Sequence, residues 1–423
     1  MIKFNINLDV LIRFAVVLFV CLIEFRVFNN KGLSLADPIF LIVVLLFLFN
    51  KSSFFSEIKP HRNILLLTIF AFVWVLSHIT PIFSYPSTEW FDFLSSNIQI
   101  IVGSVYLFVI SLVFRYVTIK YGVNFALKAI IYSGLVNAIL GFSGLALLLF
   151  GMESELVCLE SSCTSSPYAE DIPRIIGFSL SPNGYAYSQF TALIATLALF
   201  FRGGVATGFS LLLLFIIAIS LLLSFSQLLM LGVLSLFIWF SNKFIMRAYK
   251  KIVLLIVLVS GCIMYILATH LMLTDGQNDC IYGNEIEKYE FIESNIQVCP
   301  SFFVQQKKIY VDIGIKNIPW GIGARNDFVG NKLDPHSMYL ERFSLHGWLG
   351  VVSFILLALV IYKALNNHAE LKQQDYIYFA LALFWVMQLY IGINADIFRY
   401  RELWVVLGIT IGIGEGGNDK QNI

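Results

Sequence analysis

Apolar runs about twenty residues long recur along the whole chain, separated by short polar stretches. A run of that length forms a helix that matches the hydrocarbon thickness of a bilayer, where the backbone must satisfy its own hydrogen bonds. The runs predict about twelve spans, near 8–28, 33–49, 64–83, 98–117, 126–150, 184–201, 205–223, 226–242, 252–273, 344–363, 374–393 and 402–414. The pieces near 224 and 394 leave a re-entrant reading open. The expected fold class is an all-α polytopic membrane protein, with residues 1–423 as one membrane domain.

Charge in the short loops orients the spans. Lys51, Lys59 and Arg62 share one loop, Arg115 and Lys120 another, and Lys243, Arg247, Lys250 and Lys251 a third. These fall on one side, together with Arg202, Lys363 and Lys372. The facing loop 84–97 carries Glu89 and Asp92 and no base. The positive-inside rule then makes both termini cytoplasmic and two large loops, 151–183 and 274–343, extracytoplasmic. The first run lacks a small-residue cleavage site and reads as a retained span.

Composition agrees. The chain has 423 residues, 58% hydrophobic and only 13% charged, where a soluble domain has about 25% charged. Its net charge of +1 says nothing about partners, but the sequence has no basic stripe suited to nucleic acid and no Walker-type phosphate loop. Cys158 and Cys163 share the first large loop, and Cys280 and Cys299 the second, as two loop disulfides in an oxidising compartment would require; four free thiols is the other reading. No histidine accompanies them at zinc-ligand spacing, so no metal or other cofactor is expected.

The long loops hold the chemistry. Val304, Val311, Ile315 and Ile318 recur at helical spacing, with Lys308, Asp312 and Lys316 on another face. This predicts an amphipathic helix that either lies on the membrane or packs as an ordinary loop helix, ended by Pro319 and the turn Gly321-Ile322-Gly323. Ser181-Pro182-Asn183 and Asp334-Pro335-His336 each place a capping residue before proline and a span. Both motifs serve helix initiation, and both helix N-termini suit an anion such as diphosphate. His336, second in its predicted helix, would stay neutral beside the positive dipole end and could act as a general base. His346 reads as structural within its span, and His78 and His270 have no identifiable partner. Arg174, Arg325, Arg342 and Lys307 are the cations placed to meet an anionic lipid head group, and Asn183 would sit at the same mouth. Arg399 and Arg401 lie at the outer end of the last span. Each of these bases could equally be a snorkelling side chain.

These residues resemble the O-antigen ligase/polymerase family of bacterial envelope glycan enzymes. The resemblance rests on Arg174-Ile175-Ile176-Gly177 leading to Ser181-Pro182-Asn183-Gly184-Tyr185-Ala186, on Pro319-Trp320-Gly321-Ile322-Gly323, and on the His336 segment followed by Gly347-Trp348-Leu349-Gly350. It implies a metal-independent, GT-C-like glycosyltransferase that joins glycans carried on undecaprenyl diphosphate at the outer face of the inner membrane. It also implies His336 as the catalytic histidine, the bilayer and the lipid-linked donor and acceptor as partners, and a chain-length regulator protein as a further one. Ligases of the family carry Arg where this chain reads Ser226-Gln227, and Arg before the surface helix where it reads Val304-Gln305-Gln306-Lys307-Lys308. Gln supplies no charge and Lys lacks the bidentate fork of Arg. The expectation is therefore a polymerase, with ligase as the alternative within the family and a lipid-linked oligosaccharide flippase as the alternative outside it.

Overall fold

A computed structural model describes residues 7–25, 34–49, 62–152, 156–158, 174–179, 181–200, 207–224, 226, 232, 235, 271–275, 289–290, 296–300, 302–323, 337–369, 375–394 and 397–415. The apolar runs become helices α1 (Leu8–Leu22), α2 (Ala36–Phe49), α3 (Arg62–Ile79), α4 (Trp90–Tyr121), α5 (Val123–Leu149), α6 (Pro182–Phe200) and α7 (Thr207–Leu222). The second large loop contributes α8 (Phe302–Lys316) and the short α9 (Met338–Ser344), before α10 (Gly347–Ala369), α11 (Asp375–Asn394) and α12 (Arg401–Gly414). Among the described residues, four helices are long and apolar enough to cross a membrane: Asn63–Ser84, Asn97–Tyr121, Val123–Leu149 and Gly347–Asn366. Ala36–Phe49, Gly208–Leu222 and Ile377–Gly392 are shorter apolar helices. The chain is thus a mostly helical membrane protein.

Several expected boundaries move. Most of loop 84–97 is helical, because α4 begins at Trp90 rather than near 98. The end of the expected span 252–273 falls on a strand, β3 (Leu271–Asp275), which belongs to a three-stranded antiparallel sheet. There β5 (Ile296–Pro300) lies between β3 and β4 (Tyr289–Glu290). The first large loop contains the pair β1 (Val157–Cys158) and β2 (Arg174–Ile175). The tenth expected span starts at Gly347 rather than 344 and runs on to Ala369, with the short α9 ahead of it across Leu345-His346. Cys163 and Cys280 lie outside the described residues.

The last helix is the centre of the bundle. Every residue from Glu402 to Gly414 is buried, and α12 packs most extensively on α4 and also on α10. Gly408 and Gly412 make this possible. A Cβ at Gly408 would collide with the Ser111 carbonyl of α4, and one at Gly412 would lie 2.8 Å from the Arg115 carbonyl. Small residues four apart let helix backbones approach closely where lipid supplies no hydrophobic drive between them.

The bundle has two ends. At the near end, α1 starts and α12 finishes: Lys120 lies 3.1 Å from Asp9, and Arg115 Nε donates to Glu415 at 2.7 Å. At the far end, Arg401 donates to the Ile23 carbonyl after α1, and its guanidinium lies 3.1 Å from Asp37 of α2. Arg401 is thereby a clamp between the first, second and last helices.

The turns after α3 and the helix α8 meet beside that far end. Ser84 Oγ and Tyr85 Oη donate to the Gly321 and Ile322 carbonyls, each at 2.7 Å. One side of α8 packs inward, with Gly314 against the Phe343 ring of α9 and Tyr310 buried on Ile322 and Leu345. Its other side exposes Ile315 and Ile318, next to exposed Trp320, Phe83 and Trp90. The Phe83 ring stands 5.1 Å from Trp320. The two readings of this helix are thus combined: it packs on α9 and still presents an apolar, aromatic-flanked face of the kind that sits at a membrane interface.

Candidate functional site

The first turn of α6 forms as its sequence requires. Pro182 is the first helical residue, and Ser181 Oγ accepts the Gly184 N–H at 3.0 Å. Asn183 is exposed in that turn, and its Oδ1 accepts from Ser226 Oγ at 2.8 Å. The β1–β2 pair brings a cation to the same place. Ile175 N–H donates to the Leu223 carbonyl at 3.2 Å, fixing β2 against the end of α7. Arg174, the neighbouring residue, is then buried with its Nε donating to the Ser224 carbonyl at 3.1 Å. Burial lowers the Arg174 pKa, though a guanidinium keeps its charge in proteins. Arg174, Ser224, Ser226 and Asn183 thus form one polar chain at the α6 N-terminus, where unpaired N–H groups and the helix dipole favour an anion.

The His336 segment differs from its predicted form. The helix begins at Met338 with Ser337 as its N-cap, so Asp334-Pro335 does not start it and His336 precedes the helix. Ser337 takes the N-cap position through its extended backbone, without a side-chain bond to the helix, and no periodic signal in the sequence marks that start. His336 and Arg325 themselves lie outside the described residues. Ser337 Oγ donates to the Gly392 carbonyl at 3.4 Å, which docks the start of α9 on the far end of α11. Arg342 is buried, with its guanidinium 4.8 Å from the Trp74 ring centre and 4.7 Å from that of Phe398, and 3.7 Å from Glu341. That cage holds its charge by cation–π attraction. Lys307, on α8, is half-buried, and burial brings its pKa down to about 8.

Two features escaped the sequence reading. His346 lies in the turn between α9 and α10, and its ring meets His78 of α3 edge to face at 4.3 Å. Its Nδ1 is 3.1 Å from the Ser77 carbonyl. Nothing local announces a contact between residues 269 positions apart. The second is the pair Glu24 and Glu402, both buried at the far end. A signal for these was present: an ionisable residue held in or beside an apolar run is a functional candidate by default.

Among the described residues, no group of three or more His, Cys, Asp or Glu side chains is set to hold a metal ion. No family model matches the chain, and no curated protein matches it.

Proposed function

We propose that the chain is a surface-polysaccharide polymerase of the O-antigen type, with twelve spans, a GT-C-like plan, cytoplasmic termini in the bacterial inner membrane and the far end of the bundle facing outward. It joins undecaprenyl-diphosphate-linked repeat units. His336 takes the proton of an acceptor sugar hydroxyl as its oxygen bonds the anomeric carbon of the donor. The bond from that carbon to the diphosphate breaks, and the electron pair leaves with the lipid diphosphate. Arg174 and the α6 N-terminus offset the growing charge, with Arg325 and Lys307 as further cations. No nucleotide is needed, because the donor diphosphate already stores the bond energy.

The observation that carries this reading is the chain Arg174–Ser224–Ser226–Asn183. Arg174 reaches the segment that reads Ser226-Gln227, where a ligase of the resembled family has Arg. A cation therefore stands beside the turn by a different route. In a null strain, single repeats on lipid A-core identify a polymerase, whereas carrier-linked polymer with no O-antigen on core identifies a ligase. Complementation with His336→Ala is expected to leave single repeats only, and normal long chains from that variant would sink the proposal. Elongation by purified protein in detergent, where no second compartment exists, separates an enzyme from a flippase.

A further inference from the structure

Glu24, just past α1, and Glu402, in the first turn of α12, are each 4% exposed. Their carboxyls lie within hydrogen-bonding reach of one another. Neither Glu24 Oε2 nor either Glu402 oxygen receives a hydrogen bond from any donor among the described residues. Two acceptor-only groups cannot bond each other, and two bare carboxylates at contact in a low-dielectric interior repel strongly. One proton shared between them resolves both problems, because a protonated carboxyl donates one O–H.

The surroundings show what this proton does. A Cβ on Gly184, the third residue of α6, would lie 3.4 Å from Glu24 Oε2. The Glu24 carboxyl thus stands in contact distance of the first turn of α6, the turn that carries Asn183. Charged and titratable neighbours come from three sides: Arg401 on α12, itself held by Asp37 of α2, and Tyr187 of α6 with Tyr400 before α12. The Tyr187 ring stacks on Tyr400 at 4.2 Å, and its hydroxyl donates to Gln388 Oε1 at 2.8 Å. Among the described residues, Arg401 is the cation beside the pair, and Asp37 already holds it.

We propose that Glu24 and Glu402 hold one proton between them and so act as positioning residues, keeping the charge beside the first turn of α6 at one unit while that turn binds an anion. The anion is a diphosphate group, and this half of the proposal rests on the polymerase reading. Loss of the proton would put a second negative charge beside that turn, cancelling the dipole field that the anion uses.

The test separates the two halves. Wild type, Glu24→Gln and Glu402→Gln are purified in a detergent without ester groups and examined by infrared spectroscopy. Wild type is expected to show a protonated-carboxyl C=O band, shifted down in protein prepared in D2O. The band should vanish in both variants, since an amide N–H then bonds the remaining carboxylate at the same net charge. Both should melt close to wild type, and if one fails to fold, the other reads the same band. A wild type without the band, or a band that survives in the folded variants, overturns the shared proton. So does a melting temperature raised by sodium in wild type but not in Glu402→Gln, which would assign a cation to the gap. Elongation against pH is then measured. Wild type is expected to lose activity on an alkaline limb that both Gln variants lack, and an unchanged limb overturns the positioning role. If the band behaves as expected but no version elongates, the proton pair stands and the polymerase reading fails.

Discussion

The two ends of the bundle treat their charges differently. At the near end, Arg115 meets Glu415, Lys120 meets Asp9, and Arg13 lies 4.8 Å over the Tyr121 ring. At the far end, buried polar atoms outnumber their partners. Glu24 Oε2, both Glu402 carboxyl oxygens, the Gln388 amide nitrogen and His346 Nε2 receive or make no hydrogen bond among the described residues. A native interior pairs nearly all its buried polar groups, so these far-end atoms mark a place where stability has been conceded. The near end ties its helices by paired charges, whereas the far end has the Arg401 clamp and, beside it, buried groups that no described side chain satisfies.

Four changes would break or sharpen that contrast. Arg115→Ala should have the largest effect, because it strands a Glu415 carboxylate whose side chain is 4% exposed. Removing one partner of a buried ion pair costs on the order of 3–5 kcal/mol, so folded yield and melting temperature should collapse. Elongation per folded molecule should hold. At the far end the signs reverse. Arg174→Ala should melt nearly as wild type and slow elongation by about a hundredfold, the scale of a lost oxyanion contact. Equal losses of stability and activity in both variants would erase the distinction between the ends.

Gly408→Leu tests what joins the two ends. Its side chain has no room against the Ser111 carbonyl, and overpacking a tight interface costs about 1–3 kcal/mol. A lowered melting temperature without altered pH dependence is expected. Lys307→Met should have the smallest effect. Burial brings the folded-state pKa down to about 8, below the ordinary lysine value of 10.5. Between those values the unfolded chain binds the extra proton, so stability should rise with pH across that window and be flat below it. The variant should lose this slope in melts taken from pH 7 to 11 (~ the window plus a margin).

Much of the plan is legible in the chain. The length of the apolar runs marks where α1 through α7 and α10 through α12 fall, because a bilayer fixes helix length, although α4 starts at Trp90 rather than near 98 and α1 ends at Leu22 rather than near 28. The Ser181-Pro182 cap is equally local, since its hydrogen bond closes within three residues. Locality also explains the failures. The expected cap at Asp334-Pro335 lost to Ser337, which docks on Gly392 some 55 residues away. The apolar end of the run at 252–273 pairs as β3 with β5, and pairing depends on a partner that periodicity does not see.

Sequence by itself therefore determined that this is a mostly helical membrane protein, where its four long apolar helices lie, and which residues could carry charge at their ends. Hydrophobic length and local capping suffice for that. Only the tertiary structure decided which of those residues meet. It set Arg174 beside Asn183 through the end of α7, His78 against His346, and Glu24 against Glu402 across the first and last helices. Such pairings arise from packing between distant elements, and their energies depend on burial that no single segment of the chain contains.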